Sequence, residues 1–330
     1  MDKTETQAEL LFSRLKKRFK HLSKWARRTG TNAFRLYDRD IPEIPLVLDL
    51  YDDIVSGAIY RRPYEKSEDE EGNWIFAMKE AAGAALGIPE ENIFIKERSS
   101  IRNRRETGKQ YVKMSEKNIY RDVREGELLF RVNLSDYLDT GLFLDARKKR
   151  FLIKAKAAGK KLLNLFAYTC SLSAAAAKGG AAQVDSVDLS NTYLEWGKVN
   201  FALNRLKGPG GFSFIRDDAL NFIREAAEKR QRWDLILLDP PVFSNSNKMK
   251  GTLDIKRDYK GLIRRCLSLL SPGGSLYFST SARGFIFDGA LFPGFAIRDL
   301  GKELEDEDFR GKRTPLNMEI RKTAAMESCW

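Results

Sequence analysis

Histidine occurs once in these 330 residues, at His21, and cysteine three times, at Cys170, Cys266 and Cys329. So few of either argue against a histidine triad, a disulfide framework and a zinc site. No G-x-G-x-x-G follows a strand and no Walker sequence is present, which disfavours a nicotinamide or ATP enzyme. No run approaches the roughly 18 apolar residues of a membrane helix. The charged N-terminus has no secretory apolar stretch, so the expected location is cytoplasmic. Positive charge is what the chain has in excess. Lys and Arg number 58 against 46 Asp and Glu, a net charge of +12. An anionic partner is expected, nucleic acid first, with a merely solvated basic surface as the alternative.

Residues 8–28 place Leu10, Leu11, Phe12, Leu15, Phe19, Leu22 and Trp25 at helical spacing, with Arg14, Lys16, Lys17, Arg18, Lys20, Lys24, Arg27 and Arg28 between them. The apolar stripe is expected to dock on the body of the protein. Its basic face could meet RNA phosphates or anionic lipid, or be simply solvated. Residues 1–40 are read as a basic helical arm. Residues 41–134 then read as a small α+β domain of the order strand, strand, helix, strand, strand. Its strands are 46–50, 54–61, 92–98 and 110–114, with a helix over 74–86 and a further strand at 128–133. The last strands of the unit bracket Arg98, Arg102, Arg104, Arg105 and Lys109, a candidate set of contacts to a nucleic-acid backbone. An exposed charged hairpin explains the same cluster.

From Lys161 onward strands and helices alternate, so residues 135–330 are expected to form an α/β domain with a doubly wound parallel sheet. One strand runs through WDLILLDPPVF, from Trp233 to Phe243. Leu235–Leu238 is an unbroken apolar run, as in a strand buried on both faces. Asp239-Pro240-Pro241 ends it, because proline has no N–H for the ladder. In such sheets ligands bind beyond the carboxyl ends of the strands. That places a carboxylate, a rigid turn and the ring of Phe243 over a crevice; a surface turn is the alternative.

Two further acids end strands upstream, Asp188 at the end of 183–189 and Asp217 after 212–215. A carboxylate at Asp188 can accept both hydroxyls of a ribose, and one at Asp217 an adenine amino group. The helix starting at Ser171 can favour a carboxylate at its N-terminus. Acids after three strands, without a phosphate loop, suit a nucleoside that carries no phosphate. S-adenosylmethionine fits, and its sulfonium is compatible with nearby carboxylates.

The runs NLFAYTCSLS, GGAAQVDSVDLSNTYLEWGKVNFALNRL, DPPVFSNSNKM and GGSLYFSTSARGF, with YLDTGLFLDAR and NAFRLYDRDIPEIPLVLD before them, resemble the bacterial 23S rRNA guanine-N7 methyltransferase family. In many bacteria that enzyme is the C-terminal half of a fused guanine-N7/guanine-N2 methyltransferase. The likeness covers about Asn32 to Phe287. More distantly, the chain resembles the 23S rRNA cytosine-C5 methyltransferases. The resemblance implies a Rossmann-like methyltransferase sheet binding S-adenosylmethionine, with 23S ribosomal RNA or its large-subunit precursor as partner. It implies cofactor contacts from Asn164, the loop Phe166, Tyr168, Cys170 and Ser171, from Asp188 and Leu189, and from Asp217 and Asp239. Asp145 and Arg147 match a segment covering the methionine end. Asp239, Pro240, Pro241 and Phe243 match the catalytic motif, and Arg283 is expected near the RNA. Cys170 departs from the family, which has glycine there. If the position needs a positive φ, a cysteine is costly.

Cytosine C5 is a poor nucleophile and needs a cysteine to add at C6 first. In the related enzymes that cysteine lies near the end of the fifth strand, where this chain reads Phe278-Ser279-Thr280-Ser281-Ala282-Arg283. Guanine N7 presents an in-plane lone pair and no proton, so its methylation needs alignment rather than a base. Exocyclic guanine N2 or adenine N6 would use a similar motif, and only the resemblance favours N7. A target base must leave its stack to react. Phe243 then offers a stacking face, with Arg283 or Phe285 opposite; ordinary packing under the turn is the alternative for Phe243. A non-catalytic RNA-binding or assembly protein on the same scaffold is the reading that Cys170 encourages.

Overall fold

The computed structural model describes residues 2–60, 67–98, 115–207, 211–244 and 252–322. They divide into two compact units, one of Met1–Leu144 with Glu307–Lys312, the other of Asp145–Asp306 with Arg313–Trp330.

The first unit opens with helix α1, Lys3–Thr29, longer at both ends than its apolar spacing predicts. The Glu5 carboxylate accepts the Asp2 N–H at 3.0 Å, and Gly30 closes the helix in the left-handed region at φ 72°. Strands β1 (Ala33–Asp38), β2 (Leu46–Tyr51), β3 (Ile54–Tyr60) and β4 (Ile93–Arg98) form a sheet in that order, with helix α2 (Glu68–Leu86) between β3 and β4. The crossover through α2 makes β3 and β4 parallel, whereas β1–β2 and β2–β3 are antiparallel. Leu11, Leu15, Leu22 and Trp25 of α1 share one core with Phe34, Leu36, Leu48, Val55, Trp74 and Met78. Trp74 Nε1 donates to the buried Gln7 Oε1 at 2.6 Å and ties α2 to α1. Residues 1–40 are therefore part of this core and not a separate arm, and 33–38 is a strand that the sequence reading did not expect. Strands β5 (Tyr120–Glu125) and β6 (Leu128–Asn133) pair as a hairpin. The expected strand 110–114 lies outside the described residues.

The second unit carries helix α3 (Arg147–Lys156) and then alternates β7 (Lys161–Leu165), α4 (Ser171–Lys178), β8 (Gln183–Asp188), α5 (Asn191–Leu203), β9 (Phe212–Arg216), α6 (Ala219–Glu228) and β10 (Trp233–Leu238). A short hairpin of β11 (Phe243–Ser244) and β12 (Leu253–Asp254) precedes helix α7 (Ile255–Ser268). Strands β13 (Leu270–Thr280), β14 (Phe295–Asp299) and β15 (Leu316–Lys322) complete it. The sheet has seven strands in the order β14-β15-β13-β10-β7-β8-β9. The five strands β13, β10, β7, β8 and β9 run parallel, so the expected doubly wound α/β sheet is present. Winding runs from β7 outward to β9, then returns to place β10 beside β7. The β7–β10 boundary is thus the switch point of the sheet, where a crevice opens beyond the strand ends.

Strand β13 begins five residues before the segment expected from Ser275. It runs through Pro272-Gly273-Gly274 as an irregularity opposite Trp233–Leu235, with Gly273 at φ 68°. A bulge with glycine in the left-handed region lets a strand pass such a sequence. Strands β14 and β15 were also unexpected. They pair antiparallel and extend the sheet beyond β13.

Candidate active site

Strand β7 delivers the chain into a loop with three alternating left-handed residues, Phe166 (φ 58°), Tyr168 (φ 51°) and Cys170 (φ 58°). Side chains other than glycine are strained there. The loop is held by bonds that use this shape. Ala167 N–H donates to Val187 O at 3.0 Å, Cys170 N–H to Ala167 O at 2.9 Å, and Tyr168 N–H to Asp188 Oδ2 at 2.8 Å. Ser190 N–H donates to Asp188 Oδ1 at 2.8 Å. A Leu189 N–H also bonds this carboxylate, so only part of its acceptor capacity stays free. Burial pushes the Asp188 carboxyl above the usual carboxylate range, against the N–H bonds from Ser190, Tyr168 and Leu189, which lower it.

Phe166, Val187, Asp188, Leu189, Asp217, Asp218 and Ala219 line one cleft at the ends of β7, β8 and β9. Apolar walls with two carboxylate-bearing strand ends, and no phosphate cradle, fit a nucleoside without phosphates. The Asp217 carboxylate is fixed by the Asn221 amide at 3.1 Å from each oxygen and by Asp218 N–H at 2.8 Å. Asp218 in turn caps α6 through Leu220 N–H at 2.7 Å. Ser171 opens α4 and is half-buried.

Cys170 takes the costly conformation that a glycine would adopt freely. Its thiol is fully buried, so it lies under the loop and not in the cleft. Burial pushes the thiol up, out of the reactive range. Room for it comes from Gly197 on α5: a Cβ there would stand 2.6 Å from Cys170 Sγ and 2.9 Å from its Cβ. A missing side chain on one element compensates an extra one on another.

Two residues expected at the cofactor turn inward. Asn164 is 2% exposed, and its amide donates to Ser173 Oγ at 2.9 Å, which also accepts from Ser186 Oγ at 2.8 Å. Arg147 is fully buried and its Nη1 pairs with Asp306 Oδ2 at 2.9 Å. Both side chains are engaged with other protein groups and do not line the cleft. Asp145, in the turn before α3, is half-buried.

At the switch point, Leu238 pairs with Leu165 on one side and Phe278 on the other, so Asp239, Phe166 and Ser279 emerge from one edge of the sheet. Asp239 is half-buried, Pro240 is buried, and Pro241 and Phe243 are partly covered. Phe243 pairs with Asp254 across the β11–β12 hairpin. Sequence reasoning missed Lys149. This α3 lysine is 4% exposed; its Nζ donates to Ser279 Oγ at 2.6 Å and stands 3.7 Å from Asp239 Oδ2. A run of lysine and arginine reads as a solvated helix. The overlooked signal is spacing: Lys149 lies one turn before the buried Ile153, on the inward stripe.

Arg283 is exposed just after β13. Of the expected basic cluster, Arg98 ends β4 with its side chain outside the described set, and Arg102, Arg104, Arg105 and Lys109 lie outside the described residues. His21 is exposed on α1, where Nε2 meets Glu307 Oε1 at 2.9 Å. Cys266 is buried with its thiol pushed up. Among the described residues no group of three histidine, cysteine or acidic side chains could share a metal. No described helix is long and apolar enough to cross a membrane.

The family described as S-adenosylmethionine-dependent methyltransferase matches residues 100–315. The ribosomal RNA large subunit methyltransferase K of Neisseria meningitidis is 42% identical over 309 residues, covering 94% of this chain and 86% of that protein. The ribosomal RNA large subunit methyltransferase K/L of Chromohalobacter salexigens is 41% identical over 303 residues, and there the chain spans only 40% of its relative. Among solved structures, the methyltransferase SMU.776 in complex with SAH aligns with a TM-score of 0.73 over 95% of this chain at 23% identity, a likeness of fold.

Proposed function

This chain belongs to the S-adenosylmethionine-dependent methyltransferases, and from that premise we propose that it methylates a guanine of 23S ribosomal RNA at N7. The observation that supports transfer to a ring or exocyclic nitrogen, and not to cytosine C5, is the chemistry at the switch-point edge, while the choice of N7 rests on the sequence resemblance. That edge offers a carboxylate, Asp239, beside an ammonium, Lys149, with neither histidine nor cysteine from Phe278 to Arg283. The names of the two relatives support a large-subunit RNA substrate.

S-adenosylmethionine, when bound, supplies an electrophilic methyl group carried on a sulfonium. The chain's own residues fit that ligand in three places. Asp188 offers the acceptor capacity that its backbone contacts leave free to the ribose hydroxyls, and Phe166, Val187 and Leu189 supply the apolar wall. Asp217, pinned by Asn221, presents a carboxylate to the adenine amino group. Asp145 and Ser171 serve the amino-acid end.

The target guanine, unstacked from the RNA, enters over Asp239 and the rigid Pro240-Pro241 turn, with Phe243 as its stacking face. N7 uses its lone pair and loses no proton, so no residue has to act as a base. Alignment is the main contribution the protein makes. Positive charge moves from sulfur to the purine ring during transfer, and Asp239 stabilises it electrostatically. Lys149 holds Asp239 against the end of β13, which fixes the carboxylate's position. Among the described residues cytosine C5 chemistry finds no accessible nucleophile, since Cys170 and Cys266 are both fully buried.

The deciding experiment incubates the purified protein with S-adenosylmethionine and 23S rRNA from cells lacking this gene, then maps the product by nuclease digestion and mass spectrometry. A single 7-methylguanosine is expected. A methyl group on cytosine C5 or guanine N2, or no methylation, refutes the assignment.

A further inference from the structure

Between Glu9 and Asp38 the chain contains no acidic residue, while α1 carries eight lysines and arginines over the same interval. These cations divide into two sets. Arg14 pairs with Asp40 at 2.7 Å, and Arg18 donates to the carbonyls of Leu36 at 2.9 Å and Asp308 at 3.3 Å. Those two hold the helix to its own unit. The other six, Lys16, Lys17, Lys20, Lys24, Arg27 and Arg28, are exposed. Lys16 lies over the Phe12 ring at 5.4 Å, and Arg27 Nε reaches Ser23 O at 3.3 Å, so both stay on the helix surface.

At 3.6 residues per turn the six cations fall within an arc of about 120°, opposite the stripe of Leu11, Leu15, Leu22 and Trp25, and extend over roughly 18 Å. Such a face is unfavourable for the helix alone. Lys16 and Lys20, Lys20 and Lys24, and Lys24 and Arg28 are like-charge pairs four residues apart, and each destabilises the helix. Arg27 and Arg28 gain something from the helix C-terminus. The four lysines in the middle gain nothing there. A stripe that repels itself is repaid by a polyanion laid along it.

We propose that this face of α1 is a docking surface for the sugar–phosphate backbone of the RNA substrate. The proposal rests on the ribosomal RNA reading above and adds where the backbone is held. Phosphate contacts of this kind position the nucleic acid without reading its sequence. Each neutralised phosphate releases counterions, so binding acquires a steep salt dependence.

The test uses the full chain with Lys16→Gln, Lys17→Gln, Lys20→Gln and Lys24→Gln combined. All four sites are exposed, and glutamine matches lysine in helix propensity. Binding to a 23S rRNA transcript is measured across a series of salt concentrations, and S-adenosylmethionine affinity by isothermal titration. A control variant neutralises four exposed lysines of the other unit, Lys156, Lys207, Lys229 and Lys256. The α1 variant should lose at least tenfold in RNA affinity at low salt. Its plot of log affinity against log salt should be shallower by roughly 3, the counterion release of four contacts. Its cofactor affinity and circular dichroism should be unchanged. An unchanged slope, or an equal loss in the control variant, overturns the proposal. So does an α1-dependent affinity for phosphatidylserine vesicles with RNA binding intact, which would make the face a lipid surface. Failure of α1 alone would leave the native protein binding and methylating the transcript; a native protein that does neither removes both readings.

Discussion

Lys149 Nζ lies 2.6 Å from Ser279 Oγ and 3.7 Å from Asp239 Oδ2, joining the carboxyl ends of β13 and β10 through one buried side chain from α3. Lys149→Met removes that link without removing the apolar stem. Methyl transfer at saturating substrates should fall roughly tenfold to a hundredfold, equivalent to ~1.4–2.7 kcal/mol of barrier. The cofactor dissociation constant should change less than threefold, because Lys149 does not line the nucleoside cleft. Lys149→Arg should recover part of the rate, which a purely structural role does not predict. Asp239→Ala should abolish transfer with the fold intact. A Lys149→Met enzyme with full turnover would remove the lysine from the site.

Cys170 and Gly197 should behave as a coupled pair. Gly197→Ala alone forces a Cβ to 2.6 Å from Sγ, and overpacking of this kind costs about 1–3 kcal/mol. Cys170→Gly relieves the left-handed strain but opens a void, so its net effect should stay within about 1 kcal/mol. In the double variant the clash disappears and alanine favours the helix by about 1 kcal/mol. Urea denaturation of the four proteins should show a coupling energy above about 1 kcal/mol, as contacting sites do. Additive effects would mean that the two residues do not share this space.

Cofactor binding should depend on acid in one direction. The Asp188 carboxyl sits above the ordinary value of 3.8 because it is buried. In the proposed role its ionised form accepts from the ribose hydroxyls. As pH falls toward that raised value, protonation removes an acceptor and affinity declines, beginning at a higher pH than a surface carboxylate would give. Isothermal titration between neutral and mildly acidic pH tests this. Asp188→Asn should bind at least tenfold more weakly at neutral pH and lose most of the dependence.

Asp136 should govern the acid stability of the first unit. Burial raises its carboxyl, but bonds from Ser135, Asn133, Asn118 N–H and Ser115 outweigh burial and bring it down to about 2. A carboxyl lowered by folding stabilises the native state above the unfolded value of 3.8. That contribution is lost as pH falls from there through about 2. Asp136→Ala should cost about 3 kcal/mol at neutral pH, since it leaves several buried donors unmatched. Its denaturation midpoint should then vary less with pH below 4 than that of the native protein.

Parallel strands covered on both faces write themselves into a sequence as apolar runs, which is why β7, β8 and β10 were legible within a residue or two. The antiparallel additions were not. In β15 the buried Glu319 accepts from Tyr277 Oη at 2.9 Å and Arg298 Nη2 at 3.0 Å, so a covered strand carries the polarity of a surface one. In β1, Arg35 pairs with Asp49 at 2.8 Å and lies over the Phe309 ring, and the strand merged into the basic segment before it. At the site, acids that end strands were visible because they follow apolar runs. Lys149 was hidden because a buried lysine and a solvated one look alike until the fold shows what stands opposite.

The short piece Glu307–Lys312 belongs to the first unit although both its flanks belong to the second. Its Asp308 carboxylate accepts Arg35 N–H at 3.0 Å and its carbonyl accepts Arg18, while Lys312 reaches Asp40. During synthesis the ribosome makes α1 and β1 well before this clasp, which follows every strand that carries Asp188, Asp217 or Asp239. A nascent chain therefore has the sheet edge that carries Asp239 before the unit bearing the cationic helix is fully fastened. Folding order and chain order run against each other here, and a nonsense codon anywhere before Glu307 would leave both units of the protein damaged.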